Sequence, residues 1–229
     1  MADEMTLTRR PGQRPIKTSA EVRWIIEGFV PEEVLDQFRR HTLCVHEDVR
    51  RDRYLVFPSC DGTGVKLRQG RLEIKARRGM PARASYPNGV AGWAETWEKW
   101  WSMAAVGQAL AAEISAEDAH WVVVEKERWL RVYAAAGGGF DVVPVGRRLK
   151  AGCLIELTRV SIHGAPWWTI GLEAFGPADR VAGLLQGVAE MYFATERLSQ
   201  PLGLRGSCSY SGWLGRLEQA TGGSGVTTG

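Results

Sequence analysis

Residues 71–77, Arg-Leu-Glu-Ile-Lys-Ala-Arg, alternate charge and hydrocarbon without a break, and nothing else in the chain limits its fold so sharply. Successive side chains of a β-strand point to opposite faces, so Leu72, Ile74 and Ala76 share one face and Arg71, Glu73, Lys75 and Arg77 the other. A helix would scatter both sets around its axis. The pattern recurs in weaker form. Lys66 and Arg68 share a face of Val65–Arg68, separated from the first run by Gln69-Gly70. Lys126 and Arg128 alternate with Glu125 and Glu127 inside a β-rich run from Trp121 to Tyr133. Glu156 lies beside Thr158 on one face of Cys153–Ile162, and Glu173 sits alone among the apolar residues of Trp167–Phe175.

Further strands are expected over Glu21–Ile26 and Asp48–Phe57, with a hairpin turn at Asp61-Gly62 and turns at Gly137–Gly139 and His163–Pro166. Pro31–Arg40 has the marks of a helix. Pro31 suits the first turn, Glu32 and Glu33 the positive end, Arg39 and Arg40 the negative end, and Val34, Leu35 and Phe38 form the apolar stripe. Pro177 precedes a second helical stripe, Val181, Leu184, Leu185, Val188, Met191 and Tyr192. Trp93, Trp97, Trp100, Trp101 and Ala104 follow helical spacing and predict a third helix over Trp93–Ala112, its face read as core packing. Six or more strands joined by hairpins and interrupted by helices define an antiparallel α+β fold. Residues 1–19 and 219–229 lack periodicity and read as flexible tails, which leaves one domain over 20–218.

A chain of 229 residues can bury a core without a disulfide or metal staple. Cys44, Cys60, Cys153 and Cys208 form no C-x-x-C pair, and with an acidic N-terminus and no apolar run long enough for a membrane span they point to free thiols and a cytoplasmic protein. A net charge of +3 is not the one-signed excess of a general nucleic-acid binder. The placement of charge therefore matters more than its total.

Charged strand faces admit two readings. They are the solvated outside of an ordinary sheet, as in a protein-interaction module, or they converge inside a barrel, where lysines and arginines would grip phosphate oxygens. The order of the segments favours the second. Val65-Lys66-Leu67-Arg68, Leu72-Glu73-Ile74-Lys75, Lys126-Glu127-Arg128, Ile155-Glu156-Leu157-Thr158 and Leu172-Glu173, after a short strand and a helix, resemble the CYTH-like, or triphosphate tunnel metalloenzyme, superfamily. The likeness spans roughly residues 20–215 in short pieces. It implies an antiparallel β-barrel or tunnel with flanking helices and a small phosphate compound as partner. Arg23, Lys66, Arg68, Lys75, Arg77, Lys126 and Arg128 would contact the anion. Glu21, Glu156 and Glu173 would hold Mg²⁺ or Mn²⁺ if the chain is catalytic.

The chain departs from that superfamily where it matters most. The family's E-x-E-x-K first strand becomes Glu21-Val22-Arg23-Trp24-Ile25, with Arg23 in place of an acid, while Thr158 and Gly171 stand where two more acids are expected. A guanidinium cannot ligate a metal. The resemblance thus implies a phosphate-gripping tunnel more firmly than hydrolysis, and a non-catalytic anion-binding module is the alternative. His41, Cys44 and His46 lack a partner pair at zinc spacing, no Lys-Ser/Thr follows Gly137–Gly139, and Ser207–Ser209 lacks a nucleophile elbow.

Overall fold

The computed structural model describes residues 17–57, 60–102, 109 and 121–222. Among the described residues nine strands run along the chain, interrupted by helix α1 (Glu32–Arg39) and followed by helices α2 (Val181–Thr195) and α3 (Tyr210–Gly222). The strands are β1 (Lys17–Glu27), β2 (Val45–Leu55), β3 (Thr63–Arg68), β4 (Arg71–Ser85), β5 (Ala91–Trp101), β6 (Trp121–Ala136), β7 (Gly139–Val143), β8 (Gly152–Ile162) and β9 (Ala165–Phe175). Their order in the sheet is β2-β3-β4-β5-β1-β9-β8-β6-β7, and β2 also pairs with β6. Eight strands therefore close into an antiparallel barrel, while β7 pairs only with the far end of β6. Closure removes the exposed edges that an open sheet of this size would have to protect.

Three tight hairpins fix the register. Gln69-Gly70, Gly137-Gly138 and His163-Gly164 each place two consecutive residues at positive φ, the twist that matches paired strands. The cross-strand partners Arg68–Arg71 and Ile162–Ala165 follow directly.

The main hydrophobic core lies outside the barrel. Ala20, Val22 and Trp24 of β1, Ile155 and Leu157 of β8 and Ile170 and Leu172 of β9 face outward onto α1 and α2. Val34, Leu35 and Phe38 meet them from α1, and Val181, Leu185, Val188, Tyr192 and Phe193 from α2. Arg131 is buried in this layer, where it donates to the carbonyl oxygens of Gln37 and Phe38 and pairs with Glu196 at 3.0 Å. It thereby satisfies carbonyls that the last turn of α1 leaves unpaired.

A second cluster fills one end of the barrel interior. Ile25, Tyr54, Val56, Val122, Val124, Val160 and Ile162 point inward there and are capped by Tyr210, Trp213 and Leu214 of α3. The barrel is a pit with an apolar floor, not an open tube.

Three expectations need correcting. Residues 93–101 form β5, not a helix. Spacings of four residues keep side chains on one strand face as well as near one helix face, so Trp93, Trp97 and Trp101 satisfy both patterns. Thr96 and Glu98, between Glu95, Trp97 and Lys99, are polar as well, so nothing local decided between the two periods; Ala104 and Ala112 lie outside the described residues. No tight hairpin forms at Asp61-Gly62, because the β2–β3 connection spans 56–62. The folded part is also longer than 20–218: β1 begins at Lys17, and α3 carries Gln219–Gly222. The rest of both expected tails, 1–16 and 223–229, lies outside the described residues. Among the described residues no helix is long and apolar enough to cross a membrane.

Candidate functional site

Above the apolar floor the inward faces of the strands enclose a cavity of about 390 Å³. Its lining contains ten cationic side chains and four carboxylates among the described residues. The cations are Lys17, Arg23, Arg50, Lys66, Arg68, Arg71, Lys75, Lys99, Lys126 and Arg128; the acids are Glu21, Glu73, Glu156 and Glu173. A chain with net charge +3 has concentrated a larger positive excess in one concavity. Low-dielectric walls strengthen the resulting field.

The deeper cations are organised around two carboxylates. Glu21 receives Lys75 at 3.2 Å and Lys99 at 2.6 Å, and Ser19 donates to it at 3.1 Å. Glu156 bridges Arg23 at 3.0 Å and Arg128 at 2.5 Å. Burial alone would raise both carboxyls. Lys75 and Lys99 around Glu21, and Arg23, Arg128 and Lys126 around Glu156, outweigh it and hold both well below the usual carboxylate range. Burial pulls Lys75 down despite Glu21, whereas Lys99 is raised because Glu173 and Glu21 together overcome its desolvation. Nearer the mouth, Lys66 pairs with Glu73 at 2.8 Å. Arg68 and Arg71 lie within ion-pair distance of no carboxylate among the described residues, and Lys17 rests over the Trp101 ring at 5.2 Å. The pit therefore has paired cations at depth and uncommitted ones at its rim.

These pairings set the acid sensitivity of the fold. Glu21 and Glu156 have folded pKa values below the unfolded value of about 4.3, so their contribution is fully present above that pH and is lost as pH falls through the folded values. Urea midpoints are expected to stay level from pH 7 to 5 on this account, then fall steeply below pH 4. A midpoint that rises on acidification would contradict the pairing.

Gly171 explains two of the sequence's departures at once. A Cβ at this position would lie 2.7–2.9 Å from the Arg23 guanidinium, closer than real contacts allow. Gly171 and Arg23 are cross-strand partners, so the missing side chain at 171 is the space into which Arg23 folds to reach Glu156 and Thr169. Gly171→Ala is expected to destabilise the protein by about 1–3 kcal/mol through this clash. Thermal unfolding would reveal it, and a change near zero would mean that Arg23 swings aside freely.

The expected metal ligands do not fit a divalent cation. Glu21 and Glu156 have their oxygens taken by ammonium and guanidinium groups, Glu173 binds Lys99 at 2.7 Å, and Arg23 stands between Glu21 and Glu156 as a fixed positive charge. A hard cation needs several free oxygen ligands, and no cluster of three His, Cys, Asp or Glu side chains suited to a metal occurs among the described residues.

Six of the seven expected anion contacts, Arg23, Lys66, Arg68, Lys75, Lys126 and Arg128, line the one cavity together with Glu21, Glu156 and Glu173. Arg77 does not. It is held by Glu95 at 2.8 Å and Asp61 at 2.7 Å, beyond the cavity lining. The β4 register shift between Arg78 and Ala82 follows directly after it. Glu125 and Glu127 face outward, to Arg51 and to His46 and Arg159. His46 stacks on Trp129, while His41 Nδ1 accepts the Leu43 N–H. Sequence reasoning missed Lys17, Arg50, Arg71, Lys99 and Tyr210 in the lining. Arg50 was hidden because charged residues occupy both faces of β2, and nothing local marked Tyr210.

Fold and site together define a closed antiparallel barrel with a cationic, floored interior. The sequence matches no protein-family model and no curated protein.

Proposed function

We propose that this protein binds a triphosphate-bearing or polyphosphate compound in the barrel pit, as an anion receptor that needs no protein-bound metal. One observation carries the reading: ten cations and four carboxylates line one cavity, with Glu47 and Asp52 pairing from behind the lining, and among the described residues Arg68 and Arg71 lie within ion-pair distance of no carboxylate. The excess of cations over carboxylates in a partly buried site is self-repulsive, and a polyanion would relieve that repulsion. Guanidinium groups suit phosphate oxygens in bidentate geometry, and the ammoniums of Lys66, Lys75 and Lys99 add point charges. Resemblance to the triphosphate tunnel superfamily supports the same ligand class. The loss of free carboxylates argues for binding over hydrolysis, and no catalytic residue is assigned.

Thermal unfolding with orthophosphate, pyrophosphate and tripolyphosphate, each with chelator and with Mg²⁺ or Mn²⁺, tests the proposal. Stabilisation is expected to grow with phosphate number and to persist in chelator. Absence of stabilisation by any polyanion would return the charged faces to an ordinary interaction surface. Rapid metal-dependent phosphate release would establish an enzyme.

A further inference from the structure

Lys126 stands apart from the other lysines of the pit. Lys66, Lys75 and Lys99 each lie within 3.2 Å of a carboxylate oxygen, as a phosphate-gripping ammonium should. Lys126 is only 4% exposed, at the boundary between the charged cavity and the apolar floor. Its Nζ sits 3.3 Å from the Tyr210 ring centroid and 4.8 Å from that of Tyr54, and donates to the Tyr54 hydroxyl at 2.7 Å. The nearest carboxylate, Asp52, stands 3.9 Å away and is shared with Arg50 at 3.4 Å. Asp52 is fully buried, and neither of its oxygens accepts a hydrogen bond. An amine so desolvated and so weakly paired is the setting in which lysine becomes a nucleophile. Burial, reinforced by Lys66 and Arg23, pulls Lys126 well below the ordinary lysine range in spite of Asp52.

We propose that Lys126 captures the carbonyl group of a small phosphorylated aldehyde, whose phosphate is held by the cations above it. The inference rests on the anion-binding reading for the phosphate end of the ligand and on the tyrosine cage for the carbonyl end. In the step, neutral Nζ attacks the carbonyl carbon to form a carbinolamine. The carbon–oxygen bond then breaks, and the oxygen departs as water with both amine protons, leaving an imine between Nζ and the substrate carbon. The Tyr54 hydroxyl, already in contact with Nζ, is placed to relay those protons. No oxidant or reductant is needed, and water reverses the reaction.

Pyridoxal 5′-phosphate serves as the probe. The full chain is mixed with one equivalent, reduced with borohydride and mapped by peptide mass spectrometry, with pyridoxal and tripolyphosphate in parallel arms. Lys126 is expected to carry more adduct than any other lysine, because its ammonium is the most desolvated of the pit and has no carboxylate closer than 3.9 Å. Tripolyphosphate should suppress that adduct. Lys126→Arg should lose it while keeping a cooperative thermal unfolding transition and the parent's far-UV circular dichroism, which shows that the variant is folded. Adducts spread over surface lysines, or on Lys66, Lys75 or Lys99 in preference to Lys126, would overturn the inference. An unmodified Lys126 in a protein that binds tripolyphosphate would overturn it and leave the anion reading standing. Selective labelling by pyridoxal alone, in a protein that ignores tripolyphosphate, would uphold the reactive lysine and sink the phosphate site.

Discussion

Glu156→Gln is expected to lower unfolding free energy by about 3–5 kcal/mol, because it leaves two buried guanidiniums, Arg23 and Arg128, without the charge that bridges them. Glutamine preserves the size of the side chain and one oxygen acceptor, so the loss reports charge and not a cavity. Arg128 retains its contact with Glu47, which lies on a more exposed side chain. Arg23 retains Thr169, its approach to the Tyr210 ring and the more distant charge of Glu21, which Lys75 and Lys99 already engage. Tripolyphosphate should stabilise the variant more than the parent protein, since an added anion replaces the missing one. Urea unfolding with and without ligand measures both effects. A loss under 1 kcal/mol would mean that water already screens the bridge.

Lys75→Ala carries the largest expected change in binding. The Lys75 ammonium lies over the Trp97 ring at 4.1 Å and faces the cavity beside Glu21. Removing one charge-assisted contact to phosphate in a partly desolvated site should weaken affinity by about 1.5–3 kcal/mol. Stability should change little by comparison, because Lys99 still neutralises Glu21 at 2.6 Å. Arg51→Ala supplies the control. It removes an equal charge from the outer face, where Arg51 pairs with Glu125, and should leave affinity almost unchanged. Equal losses in the two variants would show a diffuse field effect and no contact by Lys75.

Much of the barrel was legible because strand alternation is a local signal. Leu72, Glu73, Ile74 and Lys75 reveal their faces within four residues, and Gln69-Gly70 reveals the turn that pairs them. Which face becomes the interior is not local. It depends on closure through β2 and β6 and on α1 and α2 covering the opposite face of β1, β8 and β9. Lys99 stayed hidden because the tryptophans around it fit helical and strand periods equally well. Arg77 was misplaced for the converse reason: it shares the parity of Lys75, but Glu95 and Asp61 draw it past the edge of the cavity. Gly171 looked like a lost acid until the Arg23 guanidinium was found lying against it. The floor was invisible in sequence, since Tyr210 reaches it only when α3 packs into the end of the barrel.

Metal-independent polyanion capture by the barrel pit is measured by calorimetric titration of the unmodified protein with tripolyphosphate in excess chelator. Saturable binding at one site per chain is expected, weakening as salt rises, because fixed cations and not a bridging metal hold the ligand. Failure to bind until Mg²⁺ or Mn²⁺ is restored would contradict it, and would show that Glu21, Glu156 and Glu173 give up their lysine and arginine partners to a cation.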